Sequence, residues 1–385
     1  MRALVVTAPR QAEVLDVPDP VPAAGELLVD VERAGICGTD VELYTGEMAY
    51  IDQGHTHFPI RLGHEWTGRV VAVGDSADGG WLGKRVTGDT MLGCGHCEYC
   101  LAGVHHVCPD RFEVGIRDGW AGALAERLLI PARFAYEIPE HVSLAAAALV
   151  EPGGNSLRAV RAAAVGPGDT VLVLGSGTIG LLAAQFALAA GAEVHVGGVR
   201  EGSLALARSL GVPHTWQFAD LADSTSDRFD AVIEATSNER MPALSVRLAK
   251  PAGRAVYIGL SSTPSLVDSR DIALKDITAV GILSASPGLA GAIDSFASGS
   301  VVPDSIVSEV VSLSGKPIWE HGSFSKHAHF ILRPNPDQLS ELIRGDWFEV
   351  GSIFADGSGT VRYPAPPRTL TIPFLQDCVD ARRVR

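Results

Sequence analysis

Positive charge is scarce in this chain: 31 Lys and Arg stand against 45 Asp and Glu, a formal net charge of −14. A surface with that balance repels phosphate polymers, so nucleic acid is not an expected partner. Long apolar runs are missing too. No segment approaches the roughly 20 uninterrupted apolar residues that cross a bilayer. The opening MRALVVTAPR carries too short an apolar run for a secretory signal. The chain therefore reads as cytoplasmic, with no membrane partner. Cysteine is sparse as well, six in 385 residues at positions 37, 94, 97, 100, 108 and 378, which excludes a dense disulfide scaffold. Four of the six crowd into one short stretch, and in a reducing compartment that pattern points to metal.

What is present is enough apolar material, 46% of 385 residues, for two cores. The stretch TVLVLGSGTIGLL, residues 170–182, is a β-branched apolar run, three glycines and the start of an apolar helix. In a dinucleotide-binding βαβ unit, Gly175 permits the sharp turn and Gly177 lets backbone approach a pyrophosphate. Gly180 allows close helix–strand packing, and the helix start at Thr178 and Ile179 offers free N–H groups to phosphate. A second strand follows at 193–196, and later strands read DAVIEA from Asp230, RAVYIG from Arg254 and ITAVGIL from Ile277. Where an Asp or Glu would bind the ribose hydroxyls of NAD, this chain has Gly197, Gly198, Val199 and Arg200. A small residue followed by Arg suits a 2′-phosphate, so NADP is the expected cofactor, with NAD admitted by Glu201.

Before that unit, short strand-like runs broken by Pro, Gly and Asp indicate a compact β-rich domain. It contains GICGTD with Cys37, then LGHEW with His64 and Glu65. Thiolate and imidazole are ligands zinc prefers, although either residue alone reads equally as buried packing. GCGHCEYCLAGVHHVC follows, with Cys94, Cys97, Cys100 and Cys108. Four thiolates at this spacing can close a tetrahedral shell with no position left for substrate, which is a scaffold role; an iron–sulfur cluster is the rival occupant. His96, His105 and His106 within this lobe are expected in solvent. Glu151, before Pro152, is either a ligand from the opposite wall of a cleft or an ordinary acid at a helix start.

Taken in order, GICGTD, GHEW, the four-cysteine lobe, Glu151-Pro152 and GSGTIG resemble the zinc-dependent medium-chain dehydrogenases, relatives of alcohol, sorbitol and glucose dehydrogenases. The resemblance spans roughly residues 1–313 and implies an α/β chain. Its parts would be a GroES-like β-rich catalytic domain (1–155, metal lobe at about 90–110), a doubly wound Rossmann domain (156–285), and a return to the first domain with an atypical tail (286–385). It further implies two zinc ions. The catalytic one would be held by Cys37, His64 and Glu151, with Glu65 beside it as a supporting or exchangeable carboxylate. The structural one would be held by the four lobe cysteines. Thr39 would start a proton relay, although Glu42 stands where the family often has His. The implied reaction is hydride transfer between NADP or NAD and a secondary alcohol or ketone, a polyol, sugar or related compound, in a homodimer or homotetramer. A zinc-free NADPH-dependent enone reductase and a non-catalytic nucleotide-binding remnant are the alternatives. Gly153 and Gly154 replace apolar residues and are expected to widen the cleft. After Val311 the closing strand of the family is not recognisable, and His321, His327 and His329 read as solvated.

Overall fold

The computed structural model describes residues 1–77, 79–222, 228–311 and 329–332. Its amino-terminal part is built from short strands: β1 (Arg2–Ala8), β2 (Gln11–Asp16), β3 (Glu26–Gly35), β4 (Ile60–Arg61), β5 (Trp66–Val73), β6 (Arg85–Gly88), β7 (Met91–Leu92), β8 (Phe112–Glu113), β9 (Arg127–Pro131) and β10 (Ala135–Glu137). β1 lies between β2 and β4. β3 pairs with both β5 and β9, and β5 continues through β6 to β10. Leu27, Val29 and Val31 of β3 pack with Trp66, Val70, Leu128 and Ile130 into one core, and alternation along the strands supplies it.

The second part is a six-stranded sheet of β11 (Thr170–Leu174), β12 (Glu193–Gly198), β13 (His214–Gln217), β14 (Phe229–Glu234), β15 (Ala249–Tyr257) and β16 (Thr278–Gly281). The order is β13-β12-β11-β14-β15-β16 and every pair is parallel. That is the doubly wound order with its switch point beside β11. The unbroken apolar run at 170–174 follows from burial on both faces. Val171 and Val173 enter the core under helices Val150–Ala163, Thr178–Ala189 and Leu289–Ser298, while Leu172 and Leu174 enter the opposite one with Phe229 and Leu248.

Two expectations are corrected here. Gly153 and Gly154 open no space: a Cβ on Gly153 would lie 2.7 Å from the Phe296 ring, and one on Gly154 would lie 2.9 Å from Ala285 Cβ. They let Val150–Ala163 and Leu289–Ser298 pack closely. A closing strand also exists. β17 (Val307–Val311) pairs in parallel with β18 (His329–Leu332), and β18 pairs antiparallel with β3, Ile331 opposite Gly35. The run HFIL is too short to stand out in a Pro-rich tail, and its partner is almost 300 residues away in the chain. His321, His327 and Cys378 lie outside the described residues.

Candidate active site and metal centres

Antiparallel register brings the first chemical groups together. Trp66 at the start of β5 pairs with Ala34 near the end of β3, and the Gly35 N–H donates to the Glu65 carbonyl at 2.7 Å. Cys37, two residues past Gly35, therefore faces His64 and Glu65. Cys37 is also the N-cap of helix Gly38–Thr45. One donor atom from each of Cys37, His64 and Glu65 lies within 4.8 Å of the others. Asp40, 1% exposed, fixes the arrangement from behind: Oδ2 accepts the Cys37 N–H at 2.9 Å and Oδ1 accepts the Gly63 N–H at 3.1 Å. Oδ1 also lies 3.6 Å from His64 Nδ1, which leaves Nε2 as the ring nitrogen for a ligand.

Glu151 sits in the first turn of Val150–Ala163 and is buried, but it stands outside this set of three. Its Oε1 accepts Asn155 Nδ2 at 2.9 Å. Thr39, half-buried, lies in the first helical turn after Cys37. The electrostatics call for a cation. Burial, and then the charge of Glu65, push the Cys37 thiol up. Burial pushes Glu151 up to about 7, opposed by His64 and reinforced by Glu65. Burial alone would lower His64, but the Asp40 carboxylate outweighs it and holds the imidazole well above its ordinary range. A buried thiol and two acids that resist negative charge fit a divalent ion among them, and sulfur, nitrogen and carboxylate donors suit zinc. Neither Asp40 nor Asn155 was singled out by the sequence. Their signals are a carboxylate three residues after the cysteine, at N3 of its helix, and an amide one turn after Glu151.

The four lobe cysteines gather as expected, with all four sulfurs within 4.8 Å. Cys94 and Cys100 are 3.9 Å apart and Cys97 and Cys108 are 3.6 Å apart. Tetrahedral zinc with Zn–S of about 2.3 Å places sulfurs about 3.8 Å apart, so the cage fits that ion. Backbone N–H groups of His96 and Cys97 lower the Cys94 thiol to about 6, which favours the thiolate a metal needs. His96 is exposed, but the expectation for its neighbours is corrected. His106 is buried and lowered to about 4 by desolvation, and His105 turns inward, its Nε2 2.8 Å from Asp89 Oδ2 and its ring 5.2 Å from Phe134. The lobe folds back onto the strand that precedes it, which spacing alone does not reveal.

At the dinucleotide turn, Gly175 has φ +112°, open only to glycine, and a Cβ on Gly180 would lie 1.8 Å from the Gly175 carbonyl oxygen. Gly177 is the N-cap of Thr178–Ala189, so Thr178 and Ile179 occupy the helix start. Arg200, exposed, caps helix Glu201–Ser209 just past β12. Glu201 is bound to Arg208 rather than turned to the ribose position.

One further cluster, Glu193, His195 and His214, has ligand-like spacing. It does not fit a metal, because the Trp216 indole N–H donates to His195 Nδ1 at 3.0 Å. A neutral His195 then keeps its proton on Nε2, where it meets Glu193 Oε1 at 3.1 Å.

Among known families, residues 23–140 match the family model of the alcohol dehydrogenase GroES-like domain, and residues 178–298 match that of the zinc-binding dehydrogenases. An L-threonine 3-dehydrogenase of Saccharopolyspora erythraea is 35% identical over 293 residues, covering 73% of this chain and 83% of the relative. Among solved structures, a protein described as a zinc-binding dehydrogenase of Sinorhizobium meliloti, bound to NADP, superimposes with a TM-score of 0.79 at 29% identity, covering 86% of this chain and 99% of its own. A protein described as a short chain alcohol dehydrogenase of Escherichia coli, with NADH, gives 0.77 at 27% identity over 86% and 99%.

Proposed function

Since the chain belongs to the zinc-dependent medium-chain dehydrogenases, we propose that it transfers hydride between NADP and a secondary alcohol or its ketone, of the polyol, sugar or hydroxy-amino-acid type. The observation that carries this reading is the buried trio Cys37, His64 and Glu65, with Glu151 beside it, on a chain that also holds the glycine turn at 175–180. Bound zinc would supply a Lewis acid toward a hydroxyl or carbonyl oxygen, and the nicotinamide a carbon that accepts or gives hydride. Cys37 and His64 would hold the metal with a carboxylate, either Glu65 or Glu151, as third ligand. Asp40 would keep the His64 proton on Nδ1. Asn155 would hold Glu151 in place, and the Thr39 hydroxyl would take the substrate proton outward. Cys94, Cys97, Cys100 and Cys108 would hold the second zinc, away from the chemistry.

NADP is favoured over NAD because Arg200 is exposed at the end of β12 while Glu201 is engaged by Arg208. A homodimer formed through the six-stranded part is supported by the edge strand β16, with Thr278, Ala279 and Gly281 exposed, and by Leu260, Leu266 and Leu274 nearby at 79, 90 and 85% exposure. Among the described residues no helix is long and apolar enough to cross a membrane, in keeping with a cytoplasmic enzyme.

The test is a panel of polyols, sugars, L-threonine and simple secondary alcohols, with NADP and NAD assayed separately on protein of known zinc content. Turnover of at least one secondary alcohol, faster with NADP, is expected. No turnover by protein carrying two zinc ions would overturn the reading in favour of a nucleotide-binding remnant.

A further inference from the structure

One buried carboxylate joins parts of the molecule that lie far apart in the chain. Asp89, directly after β6, is 0% exposed. Its Oδ1 accepts the Met91 N–H at 3.0 Å and the Ser286 hydroxyl at 2.8 Å, and its Oδ2 meets His105 Nε2 at 2.8 Å. Met91 is local, but His105 belongs to the four-cysteine lobe, and Ser286 is 197 residues further along the chain, just beyond β16. The same short segment is gripped from its other side. The Leu283 and Ser284 carbonyls accept the Arg158 guanidinium, which projects from helix Val150–Ala163 two turns after Glu151. A Cβ on Gly288 would lie 2.2 Å from the Gly154 carbonyl oxygen of that helix. Beside Asp89, the Thr90 hydroxyl reaches the His64 carbonyl at 3.5 Å.

The place of this segment gives the junction its meaning. It leaves the carboxyl end of a parallel sheet, the end at which dinucleotides bind. With the adenosine ribose at the end of β12, the strand order sends the other half of the dinucleotide toward β14, β15 and β16. We propose that Asp89 is a positioning residue for the redox step, fastening the exit of β16 to the four-cysteine lobe through Ser286 and His105 and so ordering the wall on which the nicotinamide half rests. The scaffold metal thereby gains a role at the redox site, because the lobe it orders supplies one of the fasteners. This inference rests on the dinucleotide reading given above.

Ser286→Ala is the mild perturbation, since Met91 and His105 still satisfy the carboxylate. Binding of NADPH and of NADH to zinc-loaded protein is followed by nicotinamide fluorescence, with zinc content and thermal midpoint measured on the same samples. Affinity is expected to fall about tenfold, the effect of removing a hydrogen bond to a charged group, with both zinc ions retained. Ser286→Thr, which keeps the hydroxyl, should stay near wild type. His105→Phe should weaken binding in the same direction. The double variant should lose less than the product of the two single losses, as members of one network do. Unchanged affinity in Ser286→Ala, or independent losses in the double variant, would overturn the proposal while wild-type binding stands. A wild-type protein that binds neither dinucleotide would instead remove the functional reading and this inference with it.

Discussion

Replacing Asp40 with Asn removes one charge while keeping the side-chain shape. In the native protein both carboxylate oxygens are committed, to the N–H groups of Cys37 and Gly63, and one also faces His64 Nδ1 at 3.6 Å. An amide can offer an oxygen to only one of those two donors. The other then meets an NH2 group in a position 1% exposed, a buried mismatch worth about 1–3 kcal/mol. His64 meanwhile loses the charge that keeps its proton on Nδ1. Loss of such an outer carboxylate typically costs about 10- to 100-fold in metal affinity, or about 1.4–2.7 kcal/mol. The assay is competition with a chelator of graded strength, counting zinc per chain at each step. One zinc should leave Asp40→Asn at a free-metal level about 10- to 100-fold higher than it leaves wild type. The other, in the cysteine cage that Asp40 does not touch, should be released as before. Loss of both ions together, or of neither, would refute the assignment of Asp40 to the Cys37–His64 centre.

Three further outcomes follow from the same geometry. Gly180→Ala drives a methyl to 1.8 Å from the Gly175 carbonyl; it should cost about 1–3 kcal/mol of stability and abolish dinucleotide binding without loss of zinc, and wild-type affinity in titration would contradict it. Arg200→Ala should raise the KM for NADP about tenfold and leave that for NAD nearly unchanged, so equal effects on both would speak against a 2′-phosphate contact. Asp230 gives a pH prediction. Burial, its largest single influence, pushes its carboxyl up, but the Thr170 N–H and hydroxyl, both at 2.8 Å, and the Lys250 ammonium outweigh burial and hold it below the ordinary carboxylate range. Its contribution to stability is therefore complete above the unfolded pKa of about 3.9 and disappears as the pH falls through the lower folded value. Asp230→Asn should lose stability less steeply than wild type in acid denaturation, and identical acid profiles would refute this.

Much of the molecule was legible because its chemistry is local in sequence. The glycine turn at 175–180 needs Gly175 and Gly180 for contacts a Cβ would block, and the cysteine cage closes within fifteen residues. The trio at Cys37, His64 and Glu65 required two motifs to be assumed adjacent, and the pairing of β3 with β5 accounts for that adjacency. What stayed hidden depends on partners distant in the chain. Gly153 looked like extra room because Phe296, which fills the space, lies over 140 residues on. His105 looked solvated because Asp89 enters from the preceding strand. The pairing of β18 with β3 rests on four residues, too few for periodicity to mark them.

A metal at Cys37 is what the proposed chemistry depends on most. Cys37→Ser, assayed with whichever alcohol the panel identifies and with zinc and dinucleotide binding measured alongside, tests it most directly. The expected result is loss of turnover and of one zinc per chain, with NADPH affinity kept; turnover near the wild-type rate, or collapse of dinucleotide binding with zinc content unchanged, would contradict it.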